Sequence, residues 1–120
     1  MKNKKVVIVG ASSNARLARY YFETDSQYQV AAFAVSRKYL SEIEAFVATG
    51  YKQMNKIREN LYTECKNMGY KLTSYISSRC TFLSQFPPGD NCFILEDNTI
   101  QPYTKIGNNV VLWSGNHIGH

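Results

Sequence analysis

The chain has 120 residues, 44% of them hydrophobic and 13% aromatic, with a formal net charge of +5 at pH 7. That suffices for one ordinary domain, or a small domain plus a fragment, and excludes a large multidomain enzyme and wholesale disorder. No apolar run approaches the roughly 20 residues that span a bilayer, and the four apolar residues at 6–9 are too few for a secretory leader.

Residues 5–10 (KVVIVG) read as a buried parallel strand, a β-branched run ending in glycine. A small polar turn follows at 11–14, then a helix over 15–23 with Leu17, Ala18, Tyr21 and Phe22 on one face. A second strand runs over 28–35, which makes a β-turn-α-β unit with parallel pairing. A third strand covers 46–50. A helix is expected over 53–68, with Met54, Ile57, Leu61, Cys65 and Met68 at spacings of three and four and Gly69 as its stop. Residues 71–77 read as a fourth strand, and 81–91, with Pro87-Pro88-Gly89-Asp90, as a loop. The link over 36–45 is short for a parallel crossover, so helical turns over 39–44 must serve.

The charge is uneven. Residues 1–60 hold ten Lys and Arg against five Asp and Glu, whereas 61–120 hold four against four. A basic half suits either a solvated surface or an anion such as a nucleotide phosphate. No run of five basic residues and no aromatic RNA-binding signature occurs, which disfavours nucleic acid. The cysteines, Cys65, Cys80 and Cys92, are odd in number and lack CxxC spacing. That pattern predicts free thiols in a cytoplasmic protein, with neither a disulfide frame nor a metal site.

After residue 91 the pattern changes. Ile94, Ile100, Ile106, Leu112 and Ile118 recur every six residues without a break. Neither helical nor simple strand periodicity produces that spacing; it is the hexapeptide signature of a parallel β-helix, in which each hexad forms one flat side of a coil.

Taken together, residues 6–14 (VVIVGASSN), 46–58 (FVATGYKQMNKIR), 69–78 (GYKLTSYISS) and 91–120 resemble the bacterial hexapeptide-repeat sugar acyltransferases of the sialic-acid O-acetyltransferase and nucleotide-sugar N-acetyltransferase type. The resemblance implies an α/β fold: a small Rossmann-like parallel sheet with helices over 1–80, which binds a nucleotide sugar, and the first coil of a left-handed parallel β-helix over 81–120. It further implies acetyl-CoA as acyl donor, a nucleotide-linked amino sugar as acceptor, a homotrimer, no membrane span, and a place in bacterial surface-glycan (O-antigen) synthesis. The family's β-helix continues beyond the hexads seen here and carries most of the donor site, so the expectation is a truncated form, with turnover by these 120 residues an open question. The segment between strands two and three is also shorter than is usual in the family.

The turn Gly10, Ala11, Ser12, Ser13, Asn14 lies between a strand and a helix, where backbone N–H groups can hold a phosphate. The full GxGxxG fingerprint is missing, and strand two ends in Val35, Ser36, Arg37 without an acidic residue for a ribose, which argues against NAD. The resemblance implies a sugar nucleotide instead, with its diphosphate near Ser12, Ser13 and Asn14. Ser36, Arg37 and Lys38 after strand two, and Gly50 and Tyr51 after strand three, also sit at carboxyl ends of strands, where ligands of open parallel sheets bind. By resemblance, His120 matches the family's general base, with His117 as the fallback; an imidazole suits proton removal from a sugar amine at neutral pH. The alternatives are a sugar O-acetyltransferase, a nucleotide-sugar-binding module without turnover, and a purely structural fragment.

Overall fold

The computed structural model of the chain describes residues 2–10, 13–32, 43–48 and 56–119. The chain divides into two compact units, Met1–Thr73 and Ser74–His120.

The first unit is built on three parallel strands, β1 (Lys4–Val9), β2 (Tyr28–Ala32) and β3 (Glu44–Val47), in the order β2-β1-β3. Val6, Val7, Ile8 and Val9 are all buried, as a central strand covered on both faces requires. The two helices, α1 (Ser13–Thr24) and α2 (Lys56–Met68), supply those covers. Alternation along β3 divides the core: Phe46 meets Phe22 of α1 edge-on at 5.0 Å, while Ala45 and Val47 join Val9, Cys65, Tyr70 and Leu72 under α2. Ala15, Ala18 and Phe22 form the buried stripe of α1, with Leu17 and Tyr21 half-buried beside it. Gly69, at φ 95°, ends α2, and the Tyr70 N–H closes the last turn on the Cys65 carbonyl at 3.1 Å.

The buried face of α2 is rotated from the one its apolar spacing predicts. Ile57 is 42% exposed, and Arg58 is buried together with Cys65. Arg58, Leu61 and Cys65 share a face at spacings of three and four, and a carbonyl at the end of β3 gives the guanidinium a partner there that the isoleucine cannot use.

Beyond β3, Leu72 forms a single parallel bridge to Ala45, with hydrogen bonds from Ala45 N–H to Lys71 O and from Thr73 N–H to Ala45 O. The order is thus β2-β1-β3-Leu72. The fourth strand expected over 71–77 is therefore divided: Leu72 extends the first sheet, and β4 (Tyr75–Ile76) belongs to the second unit. The helical turns expected over 39–44 lie outside the described residues up to 42, and Glu44 is already strand.

In the second unit, six two-residue strands form two parallel sheets. One stacks β4, β6 (Phe93–Ile94) and β8 (Val111–Leu112); the other stacks β5 (Thr81–Phe82), β7 (Thr99–Ile100) and β9 (His117–Ile118). Every pairing joins residues 18 apart: Tyr75 with Phe93 and Phe93 with Val111, Thr81 with Thr99 and Thr99 with His117. Three hexads therefore make one rung. A third side is held by the Gly89 N–H on Ile106 O at 3.0 Å. The loop expected over 81–91 is instead part of the lowest rung, because Ile76, Phe82 and Pro88 continue the period of six backwards from Ile94. Ile94 and Ile100 are wholly buried, and Asn98 lies buried between rungs. The Asn98 amide donates to the Leu95 and Leu112 carbonyls at 2.9 and 3.2 Å and accepts from the Asn116 N–H at 2.9 Å. No helix of the described residues is long and apolar enough to cross a membrane.

Candidate ligand site at the β1/β3 switch point

Strand order locates the candidate site. From β1 the chain moves through α1 to β2 on one side; from β3 it moves through α2 to Leu72 on the other. The carboxyl ends of β1 and β3 are thus neighbours whose connections diverge, and ligands of open parallel sheets lie in such a crevice.

Gly10 stands at the carboxyl end of β1 with φ 142°, a backbone region essentially reserved for glycine. The chain then enters α1 at Ser13, which is exposed, with Asn14 half-buried behind it. The first turn of α1 carries no acidic side chain, so no carboxylate of its own offsets the helix dipole there. On the other side of the crevice, the Ala48 N–H donates to the Val9 carbonyl at 2.9 Å. Arg58, only 4% exposed, donates from Nη1 to the Val47 carbonyl at 2.8 Å.

The structure thus brings Gly10, Ser13 and Asn14 together at one strand end. Ser12, Ser36, Arg37, Lys38, Gly50, Tyr51 and His120 lie outside the described residues. His117 is in β9, opposite Thr99, and exposed. Arg58 is the residue that sequence reading missed. Its spacing, three residues before Leu61 and seven before Cys65, is compatible with the helix's inner face, but Ile57 at four and eight fits as well, so spacing does not select it.

A cleft of about 350 Å³ lined by Asn3, Lys4, Lys5, Ile43 and Glu44 lies at the opposite, amino end of the strands. Its acid is already engaged: Glu44 accepts from the Tyr28 hydroxyl at 2.8 Å, and that hydroxyl also meets Thr73 Oγ1 at 3.0 Å. Burial is the main cause that raises the Tyr28 pKa, opposed by the Thr73 hydrogen bond and reinforced by Glu44. Burial, with a smaller contribution from Glu64, pushes the Cys65 thiol up to about 11, and burial also raises Cys80, which favours the neutral form of both.

The whole chain shares its fold with sugar acetyltransferases. It superposes on the acetyltransferase domain of PglB from Neisseria gonorrhoeae with a TM-score of 0.76 over 98% of this chain and 66% of that one, at 15% identity. It superposes on PerB from Caulobacter crescentus, solved with CoA and GDP-perosamine, with a TM-score of 0.75 over 98% of this chain and 63% of that one, at 16% identity. A mutant perosamine N-acetyltransferase from the same organism, also with CoA and GDP-perosamine, gives 0.74 over 97% and 62% at 16% identity. The chain therefore spans about two thirds of the length of these structures. No protein-family model matches it, and no curated protein matches it in sequence.

Proposed function

We propose that the chain is the acceptor-binding part, with the start of the catalytic part, of an acetyl-CoA-dependent N-acetyltransferase acting on a nucleotide-linked amino sugar of bacterial surface-glycan synthesis. The first unit is the nucleotide-sugar domain. The second is the beginning of a left-handed β-helix. The observation that carries this reading is the joint occurrence, in one chain, of a β1/β3 switch point with a glycine turn and a parallel stack with an 18-residue rung. PerB, with the same architecture, is solved with GDP-perosamine, and the PglB domain is also solved with acetyl coenzyme A.

In this reading the diphosphate rests on Gly10 and on Ser12, Ser13 and Asn14 at the start of α1, with Ser36, Arg37, Gly50 and Tyr51 around the nucleoside. The sugar amine attacks the thioester carbonyl, the C–S bond breaks and the thiolate leaves. His120 takes the proton that the nitrogen loses, with His117 as the fallback base. The working protein is a cytoplasmic homotrimer joined through the β-helix.

Calorimetric titration with GDP-, UDP- and dTDP-sugars tests the acceptor site; saturable heat with one of them is expected, and no heat with any overturns the reading. Thiol release from acetyl-CoA in the presence of the amino-sugar nucleotide tests the chemistry; little or no release is expected from these 120 residues alone, and robust release overturns that expectation. Binding without thiol release leaves a nucleotide-sugar-binding module, and release with a hydroxyl sugar instead leaves an O-acetyltransferase.

A further inference from the structure

Arg58 carries two costs that a residue serving only to fill space would avoid. The residue is 4% exposed, and taking its charge out of water is unfavourable unless the protein returns hydrogen bonds. It also sits in the first turn of α2, at the positive end of the helix dipole, where a cation is disfavoured. A methionine or leucine there would extend the apolar face made by Leu61 and Cys65.

One bond of the guanidinium reaches the switch point. The Val47 carbonyl that it binds belongs to the same peptide plane as the Ala48 N–H. That N–H donates to the Val9 carbonyl, which in turn shares a peptide plane with the Gly10 N–H. Arg58, peptide 47–48 and peptide 9–10 thus form one continuous relay across the switch point. Hydrogen bonds in such a chain polarise one another, and a charged donor at its head strengthens the next link. Peptide 9–10 is where the backbone enters the positive φ of Gly10 at the end of β1.

We infer that Arg58 is a positioning residue for the ligand site: it fixes the Gly10 peptide through two hydrogen-bonded peptide planes without touching the ligand. The consequence for affinity rests on the nucleotide-sugar reading above; the consequence for the backbone does not. Arg58 is buried and bonds a carbonyl at the end of β3, so its removal perturbs the ends of β1 and β3 locally while the sheet and the second unit persist.

The experiment compares the wild-type chain with Arg58→Met, which keeps the stem without a donor, and with Arg58→Lys, which keeps the charge and one point donor. Amide hydrogen exchange and ¹⁵N chemical shifts are read at Gly10 and Ala48, with Phe22 and Ile100 as internal controls. Arg58→Met is expected to lower protection of the Ala48 amide by about tenfold or more, a loss typical of one charge-assisted bond, and to shift the Gly10 resonance. Both controls stay within about twofold, and Arg58→Lys restores about half of the effect on a logarithmic scale. In parallel, the Kd for the sugar nucleotide that wild type binds rises about tenfold in Arg58→Met. Should Arg58→Met fail to fold, the Arg58→Lys shifts at Ala48 and Gly10 decide alone. Unchanged Ala48 and Gly10 amides in a folded variant overturn the inference, as does a uniform loss of protection that includes the controls. A wild-type chain that binds no sugar nucleotide overturns the proposed function instead, and the amide readout still decides the role of Arg58.

Discussion

Among the described residues of the first unit, three strands of four to six residues pack with two helices around a core of β1 and β3; in the second, six strands of two residues each are stacked on copies of themselves 18 residues away. The first core is closed by side chains remote in sequence, such as Phe22 on Phe46. The second is closed by repetition, and each rung satisfies the backbone of the next. The difference extends to charge. Residues 1–73 hold twelve Lys and Arg against six Asp and Glu, and 74–120 hold two against three, so the positive excess lies wholly in the unit proposed to meet a diphosphate. A sandwich of helices and sheet can specialise one strand end, whereas a stack repeats whatever it does once per rung.

If the units are independent, damage to one core spares the other. Phe46→Ala removes the ring at the centre of the α1 face and is expected to cost about 3–5 kcal/mol in the first unit. Hydrogen exchange at Ile94 and Ile100 then stays as in wild type. Loss of protection there in proportion would show a single cooperative fold and break the comparison.

The converse probe belongs to the stack. A Cβ on Gly89 would lie 2.6 Å from the Gly107 carbonyl oxygen and 2.0 Å from Asn108 Oδ1, and the backbone contact cannot swing away. Gly89→Ala is expected to destabilise the second unit by about 1–3 kcal/mol. Asn98→Ala, which takes a donor from the Leu95 carbonyl and an acceptor from the Asn116 N–H while the Leu112 carbonyl keeps its bond from the Leu95 N–H, costs a similar amount at the lower end, about 1–2 kcal/mol. Urea melts followed by Trp113 fluorescence read both.

The thiols sharpen the contrast through pH. Cys65 in the first unit has its folded pKa raised from 9.0 to about 11, so its neutral form is the one that the fold favours. A group raised in this way contributes stability below its unfolded pKa and loses it as pH climbs towards the folded value. Stability of the first unit should therefore fall between pH 9 and 11, by on the order of 1–2 kcal/mol from this group. Cys65→Ala flattens that slope even though it costs packing. An unchanged slope between pH 8 and 10.5 would remove Cys65 as its source.

How much of this was legible in the sequence differs between the units for a physical reason. The βαβ order, the parallel pairing and the stop at Gly69 follow from local signals: β-branched runs, glycine ends and a periodicity of three and four. The rotation of α2 did not follow, because the choice between burying Ile57 and Arg58 depends on a carbonyl at the end of β3, which no local pattern reveals. In the stack, the hexads from Ile94 onward were plain. The first rung was hidden because Phe82 and Pro88 hold positions that later rungs give to isoleucine, and because Pro87-Pro88-Gly89-Asp90 looks like a turn when read without its partners 18 residues on. The position of Gly10, Ser13 and Asn14 between β1 and the start of α1 followed from a strand–turn–helix pattern, while the burial of Arg58 needed the tertiary fold.

The smallest expected effect tests the corners that repetition imposes. Five described residues of the second unit adopt positive φ: Asn91, Asp97, Tyr103, Asn109 and Gly115. Four are Asn, Asp or Gly, the types that tolerate the left-handed region; Tyr103, at φ 68°, is the exception. Its ring is 65% exposed, so little burial is lost on replacement, and its N–H bonds Gln85 Oε1 at 3.1 Å through the backbone, which any residue but proline retains. Tyr103→Asn relieves the strain without loosening the unfolded chain and is expected to stabilise the second unit by about 0.5–1 kcal/mol. Tyr103→Gly relieves the same strain, but the added freedom of the unfolded chain offsets most of the gain, leaving a change near zero. The order Asn above Gly, and Gly close to tyrosine, identifies corner strain as the cause; a loss of stability in both variants would mean instead that the exposed ring is held by packing, and that the stack's corners are less uniform than its 18-residue register.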